Sequence, residues 1–134
     1  HKKLSTRGVD SKTIKKEEIV NICKNLSTMY NTIVVASGKE DIVSDGNEVL
    51  ILKNGSPLLP KLTGTGCILG GIIAAAYSFD NSINAIALAI SILNIGAELA
   101  QKDKGMATFK ISLLDEISLI DSKKIREKID YEKL

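Results

Sequence analysis

Thr63-Gly64-Thr65-Gly66-Cys67 runs directly into the small, apolar stretch Ile68-Leu69-Gly70-Gly71-Ile72-Ile73-Ala74-Ala75-Ala76. Two glycines permit a tight turn and close approach of backbone to a ligand. The apolar stretch predicts a helix beginning at this turn, where several unpaired N–H groups converge. Such a helix N-terminus suits an anion, phosphate being the usual guest. A cysteine in the first turn feels the positive end of the helix dipole, which favours its thiolate. The backbone of Gly64, Thr65, Gly66 and Cys67 is thus a candidate anion hole with a reactive side chain beside it. The pattern leaves a second reading open, because glycine often precedes a helix and Gly70 and Gly71 also suit tight helix packing.

The flanking elements agree with that placement. Glu48-Val49-Leu50-Ile51-Leu52-Lys53 is a β-rich segment broken by Asn54-Gly55-Ser56-Pro57, and the helix after the turn runs to about Phe79 before Asp80-Asn81-Ser82. A glycine turn between strand and helix is where α/β folds hold phosphates. Thr32-Ile33-Val34-Val35-Ala36 predicts a buried, parallel strand, with Ser37-Gly38-Lys39-Glu40 at its C-terminal end, where ligand crevices form. Ile42-Val43-Ser44 and Glu48–Leu52 flank Asp45-Gly46-Asn47, a hairpin turn.

Ser11–Tyr30 reads as an amphipathic helix with Ile19, Ile22, Cys23, Leu26 and Met29 inward, which makes Cys23 inert core. Two apolar helices, about Gly66–Phe79 and Ser82–Lys102, call for cover on most sides. Glu98, late in the second, is either a buried acid serving the site or a helix-end surface glutamate, the latter being favoured. Thr108–Ile120 predicts a further helix with Phe109, Ile111, Leu113, Leu114, Ile117 and Leu119 inside, and the charge-rich Asp121–Leu134 a solvated terminal helix. Three strands for four or five helices is too little sheet for an αβα sandwich. The imbalance predicts heavy oligomerisation or membership of a larger domain.

Composition narrows the function classes. The 134 residues allow one domain, and 44% hydrophobic with 25% charged residues is ordinary for a globular protein. Eighteen basic and sixteen acidic residues interleave to a net charge of +2, no electrostatic footprint for nucleic acid. Two Phe, three Tyr and no Trp argue against a base-stacking platform. Cys23, Cys67 and the single His1 have no metal-site spacing. The polar N-terminus lacks a secretory signal, and Asp80, Asn81, Ser82 and Asn84 interrupt the apolar region before it reaches the roughly 20 residues of a membrane span. A reduced, cytoplasmic setting is expected.

Gly8-Val9-Asp10-Ser11, Ile33-Val34-Val35-Ala36-Ser37-Gly38, Asp45-Gly46, Asn54-Gly55-Ser56-Pro57-Leu58-Leu59, Leu62-Thr63-Gly64-Thr65-Gly66-Cys67 and Gly96-Ala97-Glu98-Leu99-Ala100 occur in one order. In this order they closely resemble hydroxyethylthiazole kinase, a thiamine-salvage family with a ribokinase-like fold. The likeness covers nearly the whole chain and weakens after Asp121. It implies the C-terminal half of a ribokinase-like αβα sandwich, with residues 1–134 a single partial α/β domain. The implied reaction moves the γ-phosphoryl of ATP, with Mg²⁺, to the primary hydroxyl of 4-methyl-5-(2-hydroxyethyl)thiazole. By resemblance Gly64 lies at the substrate, Ser37 (more often threonine in the family) contacts ATP, and Cys67 takes the place of the general base beside the Gly64–Cys67 anion hole. Cysteine's reference pKa of about 8.5 leaves both deprotonation and mere orientation of the hydroxyl open to it. Related pyrimidine and pyridoxal kinases carry aspartate where Cys67 stands, which speaks against those substrates.

The chain also departs from the family pattern. Gly105-Met106-Ala107-Thr108-Phe109 stands where the family has a glycine-rich Gly-Pro-Gly-Ser-Phe loop, and Arg7, followed by Gly-Val-Asp, is not its ATP-binding Arg-Gly-Asn stretch. The resemblance therefore implies a missing N-terminal half that holds the metal ligands and most of the thiazole pocket, and a homotrimer in the complete protein. A start at His1 rather than methionine points the same way. A non-catalytic assembly module that binds phosphate or nucleotide weakly is the alternative.

Overall fold

The computed structural model of the protein describes residues 15–134. Gly8–Ser11, Arg7 and the proposed helix start at Ser11 lie outside the described residues. Element order is α1 (Lys16–Tyr30), β1 (Val34–Ala36), β2 (Asp41–Ser44), β3 (Val49–Leu52), a 3₁₀ turn (Leu59–Lys61), α2 (Thr65–Phe79), α3 (Ile83–Leu99), α4 (Met106–Leu119), α5 (Ser122–Lys128) and β4 (Tyr131–Lys133).

Period-two alternation explains how the sheet is covered. Ile42, Val49 and Ile51 point to one face and pack with Cys23 of α1. Val43, Leu50 and Leu52 point to the other and pack with Ile83, Ile86, Ala87 and Ile90 of α3. Helix, sheet and helix thus form three layers. A third cluster, beyond α3, joins Leu93 and Ala97 to Phe109 and Leu113 of α4, with Ile68, Leu69 and Ile72 of α2 against it. Cys23 is 1% exposed, as its place on the apolar stripe predicts.

The hairpin forms at the expected turn. Asp45 Oδ1 accepts from Asn47 N at 2.9 Å and Glu48 N at 2.8 Å, and Gly46 has φ +95°. A Cβ on Gly46 would lie 2.7 Å from Thr28 Oγ1, so the turn also needs glycine for its seat on α1.

Several expectations need correction. The strand after α1 is antiparallel to β2, not parallel, pairing Val34 with Ser44 and Ala36 with Ile42. It is half-buried rather than buried because it is an edge of the four-stranded order β1-β2-β3-β4 among the described residues. The terminal segment is not one helix: α5 stops at Lys128, and Tyr131–Lys133 adds to β3, pairing with Leu52, Ile51 and Leu50. Its alternation went unread because all three residues are exposed and its hold is the backbone ladder plus Lys133–Glu48 (2.6 Å) and Lys53–Glu132 (3.4 Å) pairs.

Helix faces also differ in detail. Leu26 and Met29 of α1 are exposed and Ser27 is buried instead, its hydroxyl donating to Cys23 O at 2.8 Å and lying 3.2 Å from Ser44 Oγ. In α4 Phe109 and Leu113 are buried, whereas Ile111, Leu114 and Leu119 are exposed. Helix α3 is buried almost all round, as expected, but α2 has no fully buried residue. Its outward face carries Gly66, Cys67, Gly70, Gly71, Ala74 and Ala75.

Candidate functional site

Antiparallel pairing brings the end of β1, the start of β2 and the end of β3 to one end of the sheet. The loops leaving that end, Ser37–Lys39 and Lys53–Pro57, meet the start of α2 and the middle of α3. They enclose a cleft of about 980 Å³ whose lining includes Ser37, Asp41, Asn54, Thr65, Gly66 and Asn94. Lys39 and Lys53 add positive charge to its wall.

Helix α2 enters the cleft with its N-terminal turn. Gly64 is the N-cap at φ +97°, a left-handed conformation that favours glycine, and no side chain caps the helix. The first helical bond runs from Ile68 N to Gly64 O at 3.0 Å, which leaves the amides at 65–67 without an intrahelical acceptor. Thr65 Oγ1 reaches back to Leu59 O and Leu62 O at 3.3 Å each, tying the turn to the 3₁₀ segment. A Cβ on Gly66 would meet nothing within 4 Å, so open space lies beside the first turn.

Two polar pairs brace the walls. Asp41 is 7% exposed; its Oδ2 accepts from Asn94 Nδ2 at 2.6 Å and its Oδ1 from Gly38 N at 3.1 Å. Burial pushes the Asp41 carboxyl above the usual range, and those two hydrogen bonds offset part of the rise. One turn further along α3, Glu98 accepts from Asn54 Nδ2 at 3.2 Å through both oxygens and from Gly55 N at 2.8 Å. Glu98 is half-buried and bonded, not the free surface glutamate its helix-end position suggests.

Of the sequence-picked residues, Ser37, Thr65 and Gly66 line the one cleft and Gly64 caps the helix that opens on it. Cys67 follows on the first turn but is exposed and outside the cleft lining. Asp41, Asn94 and Asn54 are the residues sequence reasoning missed. A polar residue inside an otherwise apolar helix (Asn94) and a carboxylate opening an apolar strand (Asp41) were the available signals. Among the described residues no three His, Cys, Asp or Glu side chains gather as a metal site.

Residues 1–123 match the family described as "HK: Hydroxyethylthiazole kinase family". The chain belongs to this family. It is 44% identical over 133 residues to "Hydroxyethylthiazole kinase" of Finegoldia magna, covering 99% of this chain and 49% of that protein. It is 36% identical over 130 residues to "Hydroxyethylthiazole kinase" of Archaeoglobus fulgidus, covering 96% and 47%. Among solved structures, the hydroxyethylthiazole kinase protein from Pyrococcus horikoshii OT3 superposes with a TM-score of 0.83 at 29% identity, over 88% of this chain and 47% of that one. The fold is accordingly ribokinase-like α/β. The chain spans about half the length of the curated relatives it matches. No described helix is long and apolar enough to cross a membrane.

Proposed function

We propose that this chain is the C-terminal half of a kinase domain that phosphorylates the hydroxyl of 4-methyl-5-(2-hydroxyethyl)thiazole with ATP, a step of thiamine salvage. The observation that carries the reading is the opening of α2's uncapped N-terminus onto the cleft lined by Ser37, Thr65 and Gly66. Membership of the family supports this substrate class for the cleft. In this reading residues 1–134 are one partial domain, the complete protein is a cytoplasmic homotrimer, and the other half of the domain builds the rest of the thiazole pocket.

The residues divide the work as phosphoryl transfer requires, by positioning and by stabilising negative charge. ATP would supply the phosphoryl group and Mg²⁺ would offset its negative charge, with the protein ligands of the metal coming from the other half of the domain. The first-turn amides of α2, from Gly64 to Cys67, stabilise charge developing on the transferring group, and they are fixed before it arrives. Ser37, on the β1–β2 turn, holds the nucleotide from the opposite wall. Gly64, with no side chain, lets the acceptor alcohol approach the helix end. Cys67, on the same turn just outside the cleft lining, orients the acceptor hydroxyl and, as the thiolate, takes its proton as the phosphoryl group is transferred.

An ATP-consumption assay with hydroxyethylthiazole and Mg²⁺ tests this. The chain is assayed alone and after co-expression with the remaining half of the Finegoldia magna kinase. Turnover only in the assembled protein, lowered about 100-fold or more by Cys67→Ala in keeping with loss of a general base, is expected. Gly64→Val should abolish turnover. Folded, assembled protein with no turnover overturns the reading in favour of an assembly module.

A further inference from the structure

The two oxygens of Asp41, in the wall of the cleft, bond two different elements. One accepts from the backbone N–H of Gly38, in the turn that carries Ser37. The other accepts from Asn94, on the buried face of α3. Helix α3 is the most buried helix among the described residues, with Ala89, Ile90, Leu93 and Ile95 all buried around this point. The exposed Ser37-Gly38-Lys39 turn is thereby tied through one side chain to the buried face of α3.

Strand geometry explains why the carboxylate is there. Asp41 opens β2 and shares a face with Val43, the face that packs on α3. An apolar residue at position 41 would suit that face better, since a buried carboxylate costs stability unless well bonded.

We propose that Asp41, held by Asn94, is a positioning residue that fixes the Ser37–Lys39 turn in place for nucleotide binding, acting through hydrogen bonds rather than through its charge. This rests on the reading of the cleft as a nucleotide site. Asp41 exchanges no proton with substrate. Its contribution is to hold the Ser37 hydroxyl and the turn backbone where the nucleotide meets them.

The experiment compares Asp41→Ala, Asp41→Asn and Asn94→Ala in the assembled protein, reading steady-state kinetics in ATP and amide hydrogen exchange at Gly38. Asp41→Ala should raise KM for ATP about tenfold, the worth of one ordinary hydrogen bond. It should leave kcat within about twofold and speed exchange at Gly38. Asp41→Asn should recover most of both, because its amide oxygen still accepts from Gly38 and its NH₂ donates to a flipped Asn94 oxygen. Asn94→Ala should fall between the two. A fall in kcat with KM unmoved, or Asp41→Asn no better than Asp41→Ala, overturns the inference. Wild-type protein without turnover removes the functional reading instead; unchanged Gly38 exchange in Asp41→Ala then overturns the positioning role independently.

Discussion

Glu98 and Asn54, 44 residues apart in the chain, meet where the last turn of α3 crosses the end of β3, with Asn54 Nδ2 3.2 Å from each Glu98 oxygen. Asn54 is 7% exposed, and its remaining bonds run to the C-terminal segment, donating to Lys128 O at 2.9 Å and accepting from Asp130 N at 2.8 Å. One side chain therefore joins the cleft wall, the core helix and the segment leading into β4.

That junction predicts a large effect from a small change. Asn54→Ala leaves Lys128 O and Asp130 N without their partner and should destabilise the fold by about 1–3 kcal/mol, the cost of unpaired buried groups. Asn54→Asp is expected to be worse than Asn54→Ala, because it sets a second carboxylate against Glu98. Urea denaturation of the three proteins checks the order. Hydrogen exchange should show β4 loosening first. An Asn54→Asp protein as stable as wild type would contradict this account.

The hairpin turn supplies a sharper test. Gly46 combines φ +95° with an approach to Thr28 that leaves no room for a Cβ. Gly46→Ala should cost about 1–2 kcal/mol from the left-handed backbone alone, with the steric conflict against Thr28 Oγ1 added. Thr28→Ser retains that oxygen and should not relieve it, whereas Thr28→Ala should recover part of the loss. Thermal melts of the single and double variants measure this coupling directly.

What the sequence made legible follows from where periodicity is strong. Alternation around Asp45-Gly46-Asn47 specifies the hairpin, and the apolar run after Gly66 specifies α2, because both signals are local. Tyr131–Lys133 was illegible as a strand because its pairing depends on β3, some 80 residues away, and its side chains carry no buried face. The cleft's glycine turn and Ser37 could be picked out by type and spacing. Asp41 and Asn94 could not be paired from sequence, since 53 positions separate them and neither belongs to a motif. Leu26, Met29, Ile111 and Leu114 went astray for another reason. An apolar helix stripe wider than its neighbour's contact face leaves some of its residues outside.

The two cysteines should differ in reactivity by their surroundings. Cys23 is buried under the sheet, and burial pushes its thiol up, so it stays protonated and shielded. Cys67 is exposed on α2. A thiol-specific chromogenic reagent at neutral pH should therefore modify one thiol rapidly in native protein and the second only after denaturation. Peptide mapping should place the fast label on Cys67. In the assembled protein, ATP should slow that label if the α2 turn faces the nucleotide.

Two aspartates should give stability opposite pH dependences. Burial raises the Asp41 carboxyl, so the folded state holds its proton more tightly than the unfolded chain does. Its favourable contribution is full below the unfolded value near 3.8 and is lost as pH rises through the higher folded value. Asp45 is lowered, chiefly by the Glu48 amide, so its contribution is present above 3.8 and is lost as pH falls through the folded value. Asp45 is solvent-facing, which keeps its effect small. Asp41→Asn removes the cost of a buried charge while keeping both hydrogen-bond positions, so its stability relative to wild type should improve as pH rises from about 4 towards 7. Asp45→Ala should show the reverse trend, its deficit shrinking as the medium is acidified below 3.8. Parallel urea titrations across that range decide both. A pH-independent gap between Asp41→Asn and wild type would mean that the carboxylate is hydrated in solution and that the wall of the cleft is open there.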